Sequence, residues 1–280
     1  MRQLHNARPR NKKSKMQTYG DNIPTMPARW LAGAMLAAAG CAMAAEKPAD
    51  HIVLHVMAQE SIAPKWVPAA SRPQGLCPEF LAAIEKIEPR IRFSAPEHGR
   101  SLPVIEAALE SGKAGAACAL LDSPRRRSIA QVVGKPLYLV KHRLAAAASD
   151  DVVVNNLGDL VKLKPLVNTA RGSAYILQLK ALGVAVDDST GDNAVNLRKV
   201  LAGHGRFTYM NELTLVSYIR SEHLENKIRI LPVVLKEEPI YFWISRKADP
   251  EAAKLVGQAL DKLKANGELA RIYERWSRVR

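Results

Sequence analysis

Cysteine is scarce in this chain, three in 280 residues. Neither Cys nor His recurs at metal-ligand spacing, so no structural zinc site is legible and no cofactor is expected. His51 and His55 stand four apart on an expected strand, but without a third ligand they read as a solvated strand edge. Acid is also short: 27 Asp and Glu face 41 Lys and Arg, for a formal charge of +14. That excess does not make a nucleic-acid protein, because aromatics are only 5% of the chain and its basic residues are scattered among acidic ones. Long hydrophobic runs are missing apart from one, and no repeat or low-complexity tract dominates. What is there, 280 residues of which 48% are hydrophobic, is enough to bury a full core in one domain or two lobes.

Residues 1–25 are polar, basic and without periodicity, and read as a non-essential upstream extension. Residues 26–44, MPARWLAGAMLAAAGCAMA, differ: they combine one positive charge, an apolar region too short to span a bilayer comfortably, and a small-x-small site at Ala42-Met43-Ala44. They read as a secretory signal peptide, with a membrane anchor or a lipoprotein signal through Ala39-Gly40-Cys41 as the alternatives. Export is common to all three. The mature chain is expected to start at or near Ala45, and translation from Met26 suffices for export. Beyond the leader the charge falls to 34 basic against 26 acidic residues, or +8. Cys41 leaves with the leader, and Cys77 and Cys118 then sit in an oxidising compartment where a bridge is allowed. One falls at a loop-to-helix corner and the other inside a strand, so two buried thiols are expected.

The stretch from Ser111 to Arg127, SGKAGAACALLDSPRRR, organises the rest. Ser111-Gly112 closes a helix running from Pro103, because Gly tolerates the left-handed conformation just past a helix end. Ala114 to Leu121 is a short uncharged run whose bounding turn signals favour a buried strand. Asp122 and Ser123 are good N-cap types, and Pro124 suits the first helical position. A helix therefore starts at the strand's C-terminal end. It aims free N–H groups and an arginine cluster at the crevice where open α/β sheets bind ligands.

This order of small-Gly-Lys, apolar strand and Ser123-x-x-Arg126 resembles the family 3 extracytoplasmic solute-binding proteins, the polar amino acid receptors of bacterial ABC importers. The resemblance runs from about Ile52 to Trp276 and is most specific over Ala259 to Trp276, which looks very like the family's closing helix pair. It implies an α/β, two-lobed periplasmic binding protein type II fold, each lobe a mixed sheet flanked by helices, with two crossing strands as hinge. Residues 45–143 are then lobe 1, 144–238 lobe 2, and 239–280 a return to lobe 1 with the C-terminal helices.

Along the chain, strands are expected over 52–57, 91–93, 139–147, 165–168, 206–210 and 239–247, the third and last of these crossing between lobes. Helices are expected over 75–87, with Glu79 capping its start, and over 100–110, 173–182, 193–202, 250–266 and 269–279. Leu269, Ile272, Tyr273 and Trp276 recur at helical spacing and read as core. By the resemblance, ligand contacts fall on Glu60 and Trp66 in the loop after the first strand, where a packing Trp is the alternative. Others fall on Leu121, Asp122, Ser123 and Arg126, on Arg171, Gly172 and Ser173 at a strand-to-helix turn of the second lobe, and on Asn211 and Glu212. Arg126 is expected to clamp a carboxylate or similar anion as a bidentate donor. Three residues depart from the family. Asn211 stands where amino acid receptors carry an Asp for the substrate ammonium, and Gly115 and Arg206 replace the Asp of a Gly-x-x-Asp pattern.

The resemblance implies a monomeric periplasmic binding protein, not an enzyme. It would close on a small polar solute, anionic or amino-acid-like, and offer it to an ABC permease in the inner membrane, with no nucleic acid partner. Two other readings stay open. One is a cyclohexadienyl-dehydratase-like enzyme, which needs a raised-pKa carboxylic acid drawn from Glu79, Glu212 or Glu238; the other is a transporter-independent sensor or accessory module.

Overall fold

The computed structural model describes residues 51–69, 72–94 and 98–277. The expected leader and its processing point lie outside the described residues. In the first lobe, β1 (Ile52–His55) and β2 (Ile91–Ser94) pair in parallel around α1 (Leu76–Ile87). Next come α2 (Leu102–Ser111), β3 (Ala116–Leu121) and α3 (Pro124–Ile129). Gly112 caps α2 at φ 81°, and Ser123 caps α3, its Oγ accepting from the Arg126 N–H at 3.2 Å. Every residue of β3 is buried, which is why an uncharged alanine-rich run can serve as a central strand.

The chain crosses on β4 (Ala130–Ala147) into a second lobe of α4 (Leu157–Leu163), β5 (Leu166–Asn168), α5 (Ala174–Ala181), β6 (Ala185–Asp187), α6 (Asn193–Leu201), β7 (Phe207–Asn211), α7 (Glu212–Ser221) and β8 (Ile228–Ile230). It returns on β9 (Lys236–Ser245) and ends in α8 (Pro250–Ala265) and α9 (Glu268–Ser277). Among the described residues one sheet runs in the order β3-β9-β4-β7-β5-β6, with β8 beside β4. β4 is the continuous element in it: Ala130 to His142 pairs with β9, and its last residues pair with β7 and β8. It starts nine residues before the expected crossing strand. A register shift between Val133 and Tyr138 accommodates Pro136 within the strand. Gly134 at that shift has φ 66°, and a Cβ there would come within 2.8 Å of Leu260 Cβ on α8.

The core is built from large residues at the strand and helix interfaces, including the fully buried Phe80, Phe207, Phe242 and Trp243. Each such side chain contributes on the order of 2–3 kcal/mol by leaving water. Trp243 keeps its polar edge satisfied, donating to Leu120 O at 3.0 Å. On α9, Leu269 and Ile272 are buried, and Tyr273 and Trp276 pack on the same core. Trp276 Nε1 donates to Glu79 Oε1 at 2.8 Å, and Arg275 pairs with the same carboxylate. Glu79 therefore ties α1 to α9 and does not cap its own helix, whose first N–H groups are taken by loop carbonyls. Cys77 and Cys118 also differ from expectation: they form a disulfide, because α1 begins directly over β3 and brings their Cα atoms to 5.9 Å. No helix among the described residues is long and apolar enough to cross a membrane.

Candidate functional site

Between the lobes lies a cavity of about 50 Å³. The first lobe contributes Gln59, Lys65, Ala119, Leu121 and Arg126, and the second Ser173, Tyr175, Asn193, Met210 and Asn211. Lys65 is held from behind by its own backbone. The carbonyls of Pro64 and Lys65 accept the Leu76 and Cys77 N–H groups, each at 3.1 Å, so the loop after β1 supplies the partners that the start of α1 lacks. Gly75, at φ 119°, makes this close approach possible, since a Cβ there would lie 2.7 Å from Lys65 O.

The front of Lys65 is fixed by a bulge in β3. Between Ala117 and Leu120 the register against β9 shifts, and Ala119 takes φ 58°. Its carbonyl accepts from Lys65 Nζ at 3.0 Å, and Gln59 Oε1 accepts a second, short hydrogen bond. Lys65 is 7% exposed, and no carboxylate among the described residues pairs with it. Burial, with repulsion from Arg126 as the lesser cause, pushes its pKa down from 10.5 to about 7.

Arg126 is the other charged residue at the cavity and is 3% exposed. Its Nε pairs with Glu106 at 3.0 Å, Nη1 donates to Leu121 O at 2.8 Å, and Nη2 reaches across the cleft to Gly172 O at 3.5 Å. Burial works against its charge, and Glu106 supports it. The arginine is therefore a brace that spans both lobes, with most of its donors already engaged by the protein. Its neighbours differ. Arg125 pairs with Glu110 and Arg127 with Asp122, all four on the exposed surface.

The second lobe brings neutral groups. Asn211 caps α7, its Oδ1 accepting the Thr214 N–H at 2.9 Å, and its side chain also bonds Tyr175. Tyr175 stacks edge-on against the buried His142 at a centroid distance of 4.7 Å. Burial holds His142 at about 4, so that ring is neutral at pH 7. Asn193, 2% exposed, joins the lobes: its Nδ2 donates to Ser61 O at 2.6 Å and its N–H to Ser61 Oγ at 2.8 Å. Ser61 Oγ donates in turn to Asp192 Oδ1 at 3.0 Å. Asn193 Oδ1 is buried without a partner.

Residues 54–279 match the sequence profile of the bacterial extracellular solute-binding proteins, family 3. The chain belongs to this family. Similar solved structures share the fold at low identity. One is a histidine kinase sensor domain with similarity to periplasmic binding proteins, 19% identical, TM-score 0.69, covering 81% of this chain and 96% of that one. Another is an ancestral arginine-binding protein bound to arginine, 18% identical, TM-score 0.68, covering 81% and 99%. A third is an amino acid ABC transporter substrate-binding protein from Streptococcus pneumoniae bound to L-arginine, 18% identical, TM-score 0.67, covering 80% and 94%. No curated protein matches the chain.

Of the residues expected to contact a ligand, Leu121, Arg126, Ser173 and Asn211 line the cavity, and the Gly172 carbonyl faces Arg126 at 3.5 Å. Others lie elsewhere. Glu60 is exposed and is not among the residues lining the cavity, and Trp66 is packed in the first-lobe core. Asp122 faces outward to Arg127, Ser123 is spent on its cap, Arg171 bonds the Asp188 and Ser189 carbonyls, and Glu212 pairs with Arg143. Two departures from the family have local causes. At Gly115 a Cβ would come within 2.8 Å of Leu54 Cδ2, so a side chain there would require the buried Leu54 to shift. Arg206 pairs instead with Asp150 at 2.7 Å. Lys65, Gln59, Tyr175 and Asn193 were not legible as site residues. A lysine between Pro64 and Trp66 in an apolar loop was the one available signal.

Proposed function

We propose that this protein is a periplasmic solute-binding protein of an ABC importer that holds a small polar solute, anionic or amino-acid-like, between its lobes. The observation that carries the reading is the interlobe cavity with two buried cations, Lys65 and Arg126, at its wall. Desolvating charge costs several kcal/mol per ion, and a cleft that retains two such groups is suited to recognising an opposite charge. Residues 45–143 with 239–280 form one lobe in this reading and 144–238 the other. Closure then moves Asn193 and Gly172 against Ser61 and Arg126, and the closed form is what the permease recognises. The same cavity does not bring together the carboxylic acids that the dehydratase-like reading would need. Glu79, Glu212 and Glu238 do not line it, so none of the three stands where a general acid would have to reach the solute.

Native mass spectrometry of the protein as purified from the periplasm tests this. A bound small molecule that dissociates under collisional activation is the expected result. Protein that carries none, and whose radius of gyration in solution scattering is unchanged by any of a broad panel of small anions and amino acids, would contradict it.

A further inference from the structure

The cavity's charge is not balanced. Arg126 has Glu106 at 3.0 Å as its counter-ion, but Lys65 has only the neutral Gln59 and Ala119 O. None of the cavity-lining residues among the described ones is acidic. Whenever Lys65 is protonated, an unliganded cleft of this kind carries one uncompensated positive charge. A zwitterionic solute would bring its own ammonium beside two cations, with no carboxylate to receive it, since Asn211 stands at the place of the acid and has spent its Oδ1 on Thr214. A third feature adds direction. Asn193 Oδ1 is buried and unpartnered, and its amide orientation is fixed by the Nδ2 bond to Ser61 O. Asn193 lines the cavity, and a hydroxyl on the solute could satisfy this oxygen without adding charge beside Lys65 and Arg126. Size sets the last limit. At about 50 Å³, the cavity suits a small solute and is far below the size of a drug-sized pocket.

We propose that the cleft selects a small hydroxy carboxylate that lacks an ammonium group, its carboxylate paired with Lys65 and its hydroxyl donating to Asn193 Oδ1. This rests on the reading that the cleft binds a solute at all, and the test separates the two. Titration calorimetry on the mature chain uses matched pairs that differ only in hydroxyl against amine: lactate with alanine, malate with aspartate, 2-hydroxyglutarate with glutamate. The expected result is that the hydroxy acid of at least one pair binds and its amino partner binds at least ~10-fold more weakly. Lys65→Met should then weaken that hydroxy acid by ~30-fold or more, Asn193→Ala by several-fold, and Arg125→Ala not at all. Lys65→Met removes a buried charge and is expected to fold, which circular dichroism checks. An amino acid that binds more tightly than its hydroxy partner, or hydroxy-acid affinity that survives Lys65→Met, overturns the inference and leaves the solute-binding reading standing. If no pair binds, the inference falls. The mass-spectrometric search for a co-purifying molecule then decides separately whether the cleft binds any solute.

Discussion

The two walls of the cleft differ in kind. The first-lobe wall supplies charge, Lys65 and Arg126, each locked in place by backbone carbonyls and a bulged strand. The second-lobe wall supplies neutral hydrogen-bonding groups, Ser173, Tyr175, Asn193 and Asn211, set at helix starts or first turns. The difference has a physical reason. The charges sit on the wall braced by the Cys77–Cys118 disulfide and by fixed backbone carbonyls, so the cost of holding them in place is met on folding. Neutral caps on the other wall can open to water and return at little expense.

The strongest way to break this comparison is Arg126→Ala. It strips the counter-ion from Glu106, whose side chain is 15% exposed, and breaking such a pair costs about 3–5 kcal/mol. Chemical denaturation should show that loss, whereas Arg125→Ala and Arg127→Ala, on exposed pairs, should leave stability unchanged in moderate salt. Equal effects from all three would mean a diffuse basic surface. Next is the brace itself. Replacing both Cys77 and Cys118 by Ser opens a link across 41 positions, and the loss should be about 2–4 kcal/mol with faster amide exchange in the Lys65 loop.

Lys65→Met should act in the opposite sense. A lysine lowered from 10.5 to about 7 destabilises the fold at neutral pH, because the unfolded chain holds the proton more tightly. The deficit is fully present below pH 7 and fades as pH rises toward 10.5. Methionine should therefore stabilise by roughly 2–4 kcal/mol at pH 7, net of the two hydrogen bonds lost, with the gain disappearing at high pH. The smallest effect belongs to the neutral wall: Asn211→Ala removes a helix cap and should cost about 1 kcal/mol by thermal unfolding.

Much of this architecture was legible in the sequence, and the failures were physical rather than random. Gly112, Ser123 and Pro124 punctuate their elements as their backbone chemistry dictates, and the closing helices carry their stripe of Leu269 and Ile272. Arg126, Ser173 and Asn211 were reachable because helix starts at strand ends converge on one crevice. Lys65 was not, because its position depends on two distant facts: its loop caps α1, and β3 bulges at Ala119. No local pattern encodes either. The disulfide escaped for the same reason, since a corner and a strand become neighbours only once α1 lies over β3. The interior of the second lobe was read thinly. α4, β6, α7 and β8 are short or flanked by polar loops, and their periodicity is too brief to separate from turns.

The central claim is that Lys65 is a buried cation held in reserve for a solute anion, and its own titration tests this most directly. Specific isotope labelling of lysine and NMR observation of the Lys65 side chain across pH 5 to 11, on mature protein freed of bound solute and then saturated with the tightest hydroxy acid of the panel, gives two curves. The account predicts a midpoint at about 7 in the free protein, moving up by at least ~1.5 units with the acid bound, the shift that a ~30-fold Lys65-dependent gain in affinity requires. A midpoint at 10.5 in the free protein, or one that does not move when the acid binds, would contradict it.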